Sequence, residues 1–168
     1  LAGSVVGDAA ADAFGIWTIT TDVLAEGIHQ LTATTHDLAG NPSDASAALV
    51  ITVDTAAPDA PSAPDLADAS DSGDNTDNIT NDDTPTLTGT APANEDVTLT
   101  SDLDGEVGTV TADGSGLWTI DTNVLAEGTH SLTATTVDLA GNDSVASDAL
   151  VVTVDTSDPA IPSVPDLA

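Results

Sequence analysis

Residues 116–142 read GLWTIDTNVLAEGTHSLTATTVDLAGN, and residues 15–41 read GIWTITTDVLAEGIHQLTATTHDLAGN. The offset is 101, and it holds outward in both directions: Trp17 maps onto Trp118, His29 onto His130, Asp54 onto Asp155 and Asp65 onto Asp166. Aligned without a gap, residues 1–67 and 102–168 are identical at 42 of 67 positions. A fixed period of this kind marks a repeated structural unit, so the sequence reads as about one and two-thirds units of a tandem array. It does not begin with Met, which leads us to expect a segment of a longer protein. It closes on PSVPDLA, the counterpart of PSAPDLA at 61–67 and the start of a further junction.

Within the complete unit the local signals are β. TLTGT (86–90), VTLTS (97–101), VGTVTA (107–112), LWTI (117–120), HSLTATTVD (130–138) and ALVVTVD (149–155) are short runs rich in Val, Thr, Leu and Ile. In the last of them Leu150, Val152 and Val154 fall on one face and Val151 and Thr153 on the other, the alternation of a half-buried strand. Asp104-Gly105 signals a hairpin and Asp113-Gly114-Ser115-Gly116 a longer loop. Short strands, turn punctuation and a unit near 100 residues imply an all-β fold of tandem immunoglobulin-like β-sandwich domains. Trp118 and Ile120, with Trp17 in the equivalent place, are expected to plug cores of Val, Leu, Ala and Thr. Six up-and-down strands would return both termini to one pole, whereas an extended array needs them at opposite poles. A seventh strand is therefore expected, either as a split first strand or as a short one near Thr122–Leu125. The resulting boundaries are 1–57 for the C-terminal part of a first repeat, 58–84 for a linker, 85–157 for a second repeat and 158–168 for the next linker. Residue 1 corresponds to Asp102, so the first repeat lacks its first two strands.

The charge is one-sided: 29 acidic residues, no Lys or Arg, formal net charge -29. Such a chain cannot displace phosphate counterions, which excludes nucleic acid as a partner. Anionic membrane surfaces are disfavoured for the same reason, and no apolar run is long enough to insert into a membrane. High charge with few aromatics is also the signature of disorder, but 40% of the residues are apolar and they are periodic. With no cysteine there is neither a disulfide nor a thiolate zinc site. A metal ion is the remaining staple for a small exported domain.

The linker concentrates the acid. In PDLADASDSGDNTDNITNDDTP (64–85), Asp65, Asp68, Asp71, Asp74 and Asp77 recur every third residue, followed by Asp82 and Asp83. Calcium takes six to eight oxygen ligands from carboxylates, amide and backbone carbonyls, and water. The stretch supplies these, with Asn75, Asn78 and Thr80 beside the aspartates and Gly73 for a sharp turn. Extended, aspartates three apart lie about 10 Å from one another, beyond the roughly 8 Å Debye length at physiological salt. Only closure of the loop makes a cation necessary. The spacing is not that of an EF-hand, and without His or Cys zinc is a poor match.

This linker, followed by TPTLTGTAP, LWTI, LAEGTH, DLAGN and VTVDT, resembles the bacterial Ig-like repeats of giant calcium-dependent adhesins, the RTX-type and biofilm-associated proteins exported by type I secretion. The resemblance covers essentially the whole chain. It implies non-enzymatic extender domains on the extracellular bacterial surface, where Ca2+ at each junction stiffens an arm that holds a distal adhesive domain. The partners it implies are the neighbouring repeats and calcium. Carried over, the family's linker motif falls on Asp71, Gly73, Asp77 and Asn78. Asp37 and Asp138 in DLAGN, and Asp54 and Asp155 in VTVDT, either complete junction sites or are turn aspartates bonded to their own backbone. His29 and His130 head strands on the face of Leu31 and Leu132 and read as structural, while His36, replaced by Val137 in the second repeat, reads as a surface residue. No Ser–His–Asp set or glycosidase dyad is credible in a repeated spacer. The alternative is a binding module or self-assembling fibre subunit, in which a neighbouring chain supplies the strands the first repeat lacks.

Overall fold

A computed structural model describes residues 4–164; the part of the further junction at 165–168, Asp166 included, lies outside the described residues. The chain divides into two compact units at Thr55/Ala56, and every regular element among the described residues is a strand.

The second unit holds eight strands: β3 (Asp65–Leu66), β4 (Ile79–Thr80), β5 (Thr86–Thr90), β6 (Asp96–Ser101), β7 (Gly105–Thr111), β8 (Leu117–Asp121), β9 (Gly128–Val137) and β10 (Leu150–Val154). They form two sheets, β3-β5-β8 and β4-β10-β9-β6-β7. All pairings are antiparallel except β4 with β10, which run parallel in the register Ile79↔Thr153 and Thr80↔Val154. The inward residues of the two sheets share one core. Leu66, Leu87, Trp118 and Ile120 come from one side, and Val97, Leu99, Val107, Leu132, Ala134, Val152 and Val154 from the other. Alternation places them there: β10 buries Val152 and Val154 and exposes Val151, as the period-two pattern requires.

Two glycines let the sheets close around the large side chains. A Cβ at Gly89 would run into the Trp118 ring, and one at Gly108 would run into Ile120 Cγ2. Both approaches lie far inside van der Waals contact, so these strands come this close to the core only because the positions are glycine. The β6–β7 hairpin turns at Asp102–Asp104, with Gly105 at φ 75°. The β7–β8 loop is held by Asp113, whose Oδ1 accepts the amides of Ser115 and Leu117 at 2.7 and 3.0 Å.

The six expected strands are present, but the boundary at 84/85 needs correction. Strands β3 and β4 lie inside the stretch read as linker, and Leu66, Pro61 and Pro64 are buried in the second unit. The first strand is split, its earlier half in one sheet and its later half in the other, and the acidic loop 67–78 is the crossing between them. No strand forms at 122–125. The triplet spacing of aspartates hid this, because the strand signal amounts to two short dipeptides set in polar sequence.

The first unit contains β1 (Gly27–Leu31) and β2 (Leu49–Val53), paired from Gly27↔Val53 to Leu31↔Leu49. This is the register of β9 with β10 displaced by 101 residues. Gly7 likewise lies against Ile19, where a Cβ would stand 2.6 Å from Ile19 Cγ2, and so repeats the approach of Gly108 to Ile120. Trp17, however, is 53% exposed where Trp118 is 2% exposed, and Phe14 and Val23 are also open to solvent. The two tryptophans are equivalent in sequence but not in burial.

Candidate metal centre in the acidic loop

The loop between β3 and β4 folds back on itself through short side chains. Thr80 Oγ1 donates to the Ser70 carbonyl. Ser72 Oγ accepts the Asn81 amide at 2.8 Å and Ser70 Oγ accepts the Thr86 amide at 3.0 Å. Gly73 at φ 84° and Asn78 at φ 57° make the reversals, conformations that glycine and asparagine tolerate and most residues do not. The linker motif thus contributes its two left-handed positions directly to the shape of the loop.

Asp71 sits at the bottom of the loop and is only 6% exposed. Its Oδ2 accepts the Asn78 amide at 3.3 Å, while Oδ1 is buried with no hydrogen-bond partner. A carboxylate oxygen in that condition is costly, because burial removes its water and nothing replaces it. Asp74 and Asp77 stand exposed on the lip, where Asp74 Oδ1 accepts the Thr76 hydroxyl at 2.7 Å and Asp77 Oδ1 accepts the Ile79 amide at 3.0 Å. Asp82 is half-buried and accepts from Ser70 Oγ at 3.4 Å and from Thr84. Asp68 is exposed at the loop's first turn. Asp65 stands apart from the loop, in β3 opposite Thr88. Among the described residues no three carboxylate or imidazole side chains converge tightly enough to hold an ion between them as they stand.

Asp37 and Asp138 are occupied in their own turns. Asp138 Oδ1 accepts the amides of Ala140 and Asn142 at 2.8 and 2.9 Å, and its Oδ2 accepts Asn142 Nδ2 at 2.8 Å. Asp37 does the same with Ala39 and Asn41, each at 2.9 Å. The Asn41 and Asn142 side chains, followed by their amides, hold both carboxyls below the ordinary 3.8. Asp138 follows β9 and precedes β10, so it lies at the end of the second unit opposite the β4–β10 pairing. Asp37 and Asp54 belong to the first unit.

Two acids missed by sequence reasoning are also held by several hydrogen bonds. Glu127 accepts the Thr156 amide at 3.1 and 3.3 Å, the Thr156 hydroxyl at 2.7 Å and the Ser157 hydroxyl at 2.9 Å. Glu26 accepts the Thr55 amide at 3.0 Å and its hydroxyl at 2.7 Å. These hydroxyl bonds, Thr55 for Glu26 and Thr156 for Glu127, depress both carboxyls below the ordinary 4.5. The available signal was a Glu in LAEG followed 29 residues later, in both repeats, by the Thr of VTVDT.

Groups depressed on folding stabilise the fold above their unfolded values and lose that contribution as pH falls through their folded ones. The DLAGN turns should therefore open on acidification below 3.8 and the Glu clasps below 4.5. A pH titration of the Asn41 and Asn142 side-chain NH2 resonances reads this directly. Shifts that stay flat to about pH 2 would contradict it.

His130 is structural, as expected. It is fully buried, Nε2 donates to the Ala126 carbonyl at 2.8 Å, and Nδ1 is hydrogen-bonded with Ser101 Oγ at 2.9 Å. His29 repeats the first bond, to the Ala25 carbonyl at 2.7 Å.

Two sheets around one core, with a first strand split between them, define an immunoglobulin-like β-sandwich. The family model of the bacterial Ig-like domain matches residues 1–55 and again 57–156, and the chain belongs to that family. The second match begins before the acidic loop, in keeping with the placement of β3 and β4. No curated protein matches the chain. Among solved structures it is similar to a chain titled "Biofilm associated protein - BSP domain", at 23% identity and a TM-score of 0.42, over 91% of this chain and 23% of that one.

Proposed function

We propose that the chain is a non-enzymatic spacer segment of tandem Ig-like repeats in an extracellular bacterial surface adhesin, and that its acidic loop binds Ca2+. The observation that carries the metal reading is Asp71: a buried carboxylate oxygen without a partner, at the base of a loop lined with oxygen donors and free of any cationic side chain. The donor set suits a hard divalent cation. Asp71 would hold the ion with Asp74, Asp77 and Asn78 from the lip, and Asp68 is next in line. Bound there, calcium supplies the positive charge that this chain lacks. Because the loop connects β3 to β4, gathering its carboxylates also fixes both halves of the first strand, one in each sheet.

The repeat supports the role. A domain that recurs every 101 residues suits length and stiffness. An ion bound only by the closed loop stabilises it by RT ln(1+[Ca]/Kd), about 2.7 kcal/mol at a hundred times Kd. Adding EGTA to the calcium-loaded chain should broaden its small-angle scattering profile and lower the melting temperature of the second unit. Identical profiles and melting curves in calcium and in EGTA would sink the metal reading.

One observation favours a second reading, assembly through the first unit: Trp17, Phe14 and Val23 are each exposed there. If another chain covers them, sedimentation should show association that a Trp17→Ser variant loses. Monomer at all concentrations would dismiss that reading.

A further inference from the structure

The second residue after the last strand of each unit is held by a carboxylate from 29 positions earlier. We propose that Glu26 and Glu127 are positioning residues that set the direction in which the chain leaves each repeat. The β9–β10 ladder ends at Gly128↔Val154. Beyond it Thr156 and Ser157 are exposed coil, yet three of their donors, one amide and two hydroxyls, converge on the Glu127 carboxylate. The base of that side chain is itself anchored. Ala126 gives its amide to Asp104 Oδ2 at 2.9 Å, its carbonyl accepts from buried His130, and Gly128 on the other side is in the ladder. A long, flexible acid is thereby mounted on a rigid point of the core and reaches over the end of β10.

The first unit repeats the device. Glu26 takes the amide and hydroxyl of Thr55, and His29 pins the carbonyl of Ala25. Bonds to an ionised acceptor are about twice as strong as neutral ones, so each clasp is a specific fastening of a segment that would otherwise fray. Every donor comes from the chain itself, so the clasp acts whether or not calcium is bound.

The test uses the full chain in EGTA, which removes any calcium contribution, with Glu26→Ala and Glu127→Ala variants followed by amide hydrogen exchange. Thr55 and Thr156 should each exchange about ten- to a hundredfold faster in the corresponding variant, with the Leu132 and Val152 amides unchanged. A Thr156→Val variant keeps the amide donor and loses the hydroxyl, so it should give an intermediate acceleration. Glu26→Ala should also broaden the scattering-derived distribution of end-to-end distances. Unchanged exchange at Thr55 and Thr156, or acceleration shared by the core strands, would overturn the proposal.

Discussion

Trp118→Ala should lower the stability of the second unit by about 3–5 kcal/mol, the range for removing a large aromatic side chain from a packed core. Trp17→Ala should cost the first unit only about 1 kcal/mol, since half of that side chain is already in water and no sealed cavity is left behind. The contrast rests on burial: Trp118 is 2% exposed, with β5 brought against its indole at Gly89, and Trp17 is 53% exposed. Urea denaturation followed by circular dichroism on the two single variants measures both. Equal losses would mean that Trp17 is buried in solution and that the asymmetry between the units is wrong.

The sign of Asp71→Asn should depend on calcium. In EGTA the substitution removes a buried charge with an unpartnered oxygen, so it should stabilise the second unit by about 1–3 kcal/mol. In saturating calcium it removes the ligand we propose to be central, so the variant should fall below the wild type by most of the binding linkage, about 2–3 kcal/mol at a hundred times Kd. Few substitutions reverse sign with a single solute, which makes thermal melts in the two buffers decisive. If Asp71→Asn destabilises equally in both, the carboxylate is a structural hydrogen-bond acceptor and the ion binds elsewhere.

The fold was largely legible because the repeat doubles every signal. LWTI, HSLTATTVD and ALVVTVD alternate with period two, and alternation is what a half-buried strand demands, so β8, β9 and β10 could be placed by face as well as by position. The hairpin at Asp104-Gly105 was legible from turn chemistry. Strands β3 and β4 were not, because Asp65–Leu66 and Ile79–Thr80 are too short to alternate and are recognised only by what they pair with. The aspartates of the loop were legible as a charge anomaly, yet composition could not rank them. What distinguishes Asp71 is burial, and burial depends on the closure made by Ser70, Ser72 and Thr80. Asp37 and Asp138 had two readings open, and the bonds inside DLAGN account for all of their carboxylate oxygens. Glu26 and Glu127 were overlooked because their partners lie 29 residues away, across a strand pair.

The parallel pairing of β4 with β10 has a mechanical consequence. The chain enters the second unit ahead of β3, so tension reaches β4 only after β3 has separated from β5; a pull between β4 and the end of β10 then draws two parallel neighbours in opposite directions along their length. The bonds from the Thr153 amide to the Asn78 carbonyl, and from the Asp155 amide to the Thr80 carbonyl, are then strained in shear and together. An antiparallel pair pulled at one end would instead open one bond at a time, like a zip. A pull that reaches β4 would therefore meet both bonds at once, with the acidic loop 67–78 as the segment that leads into the strand.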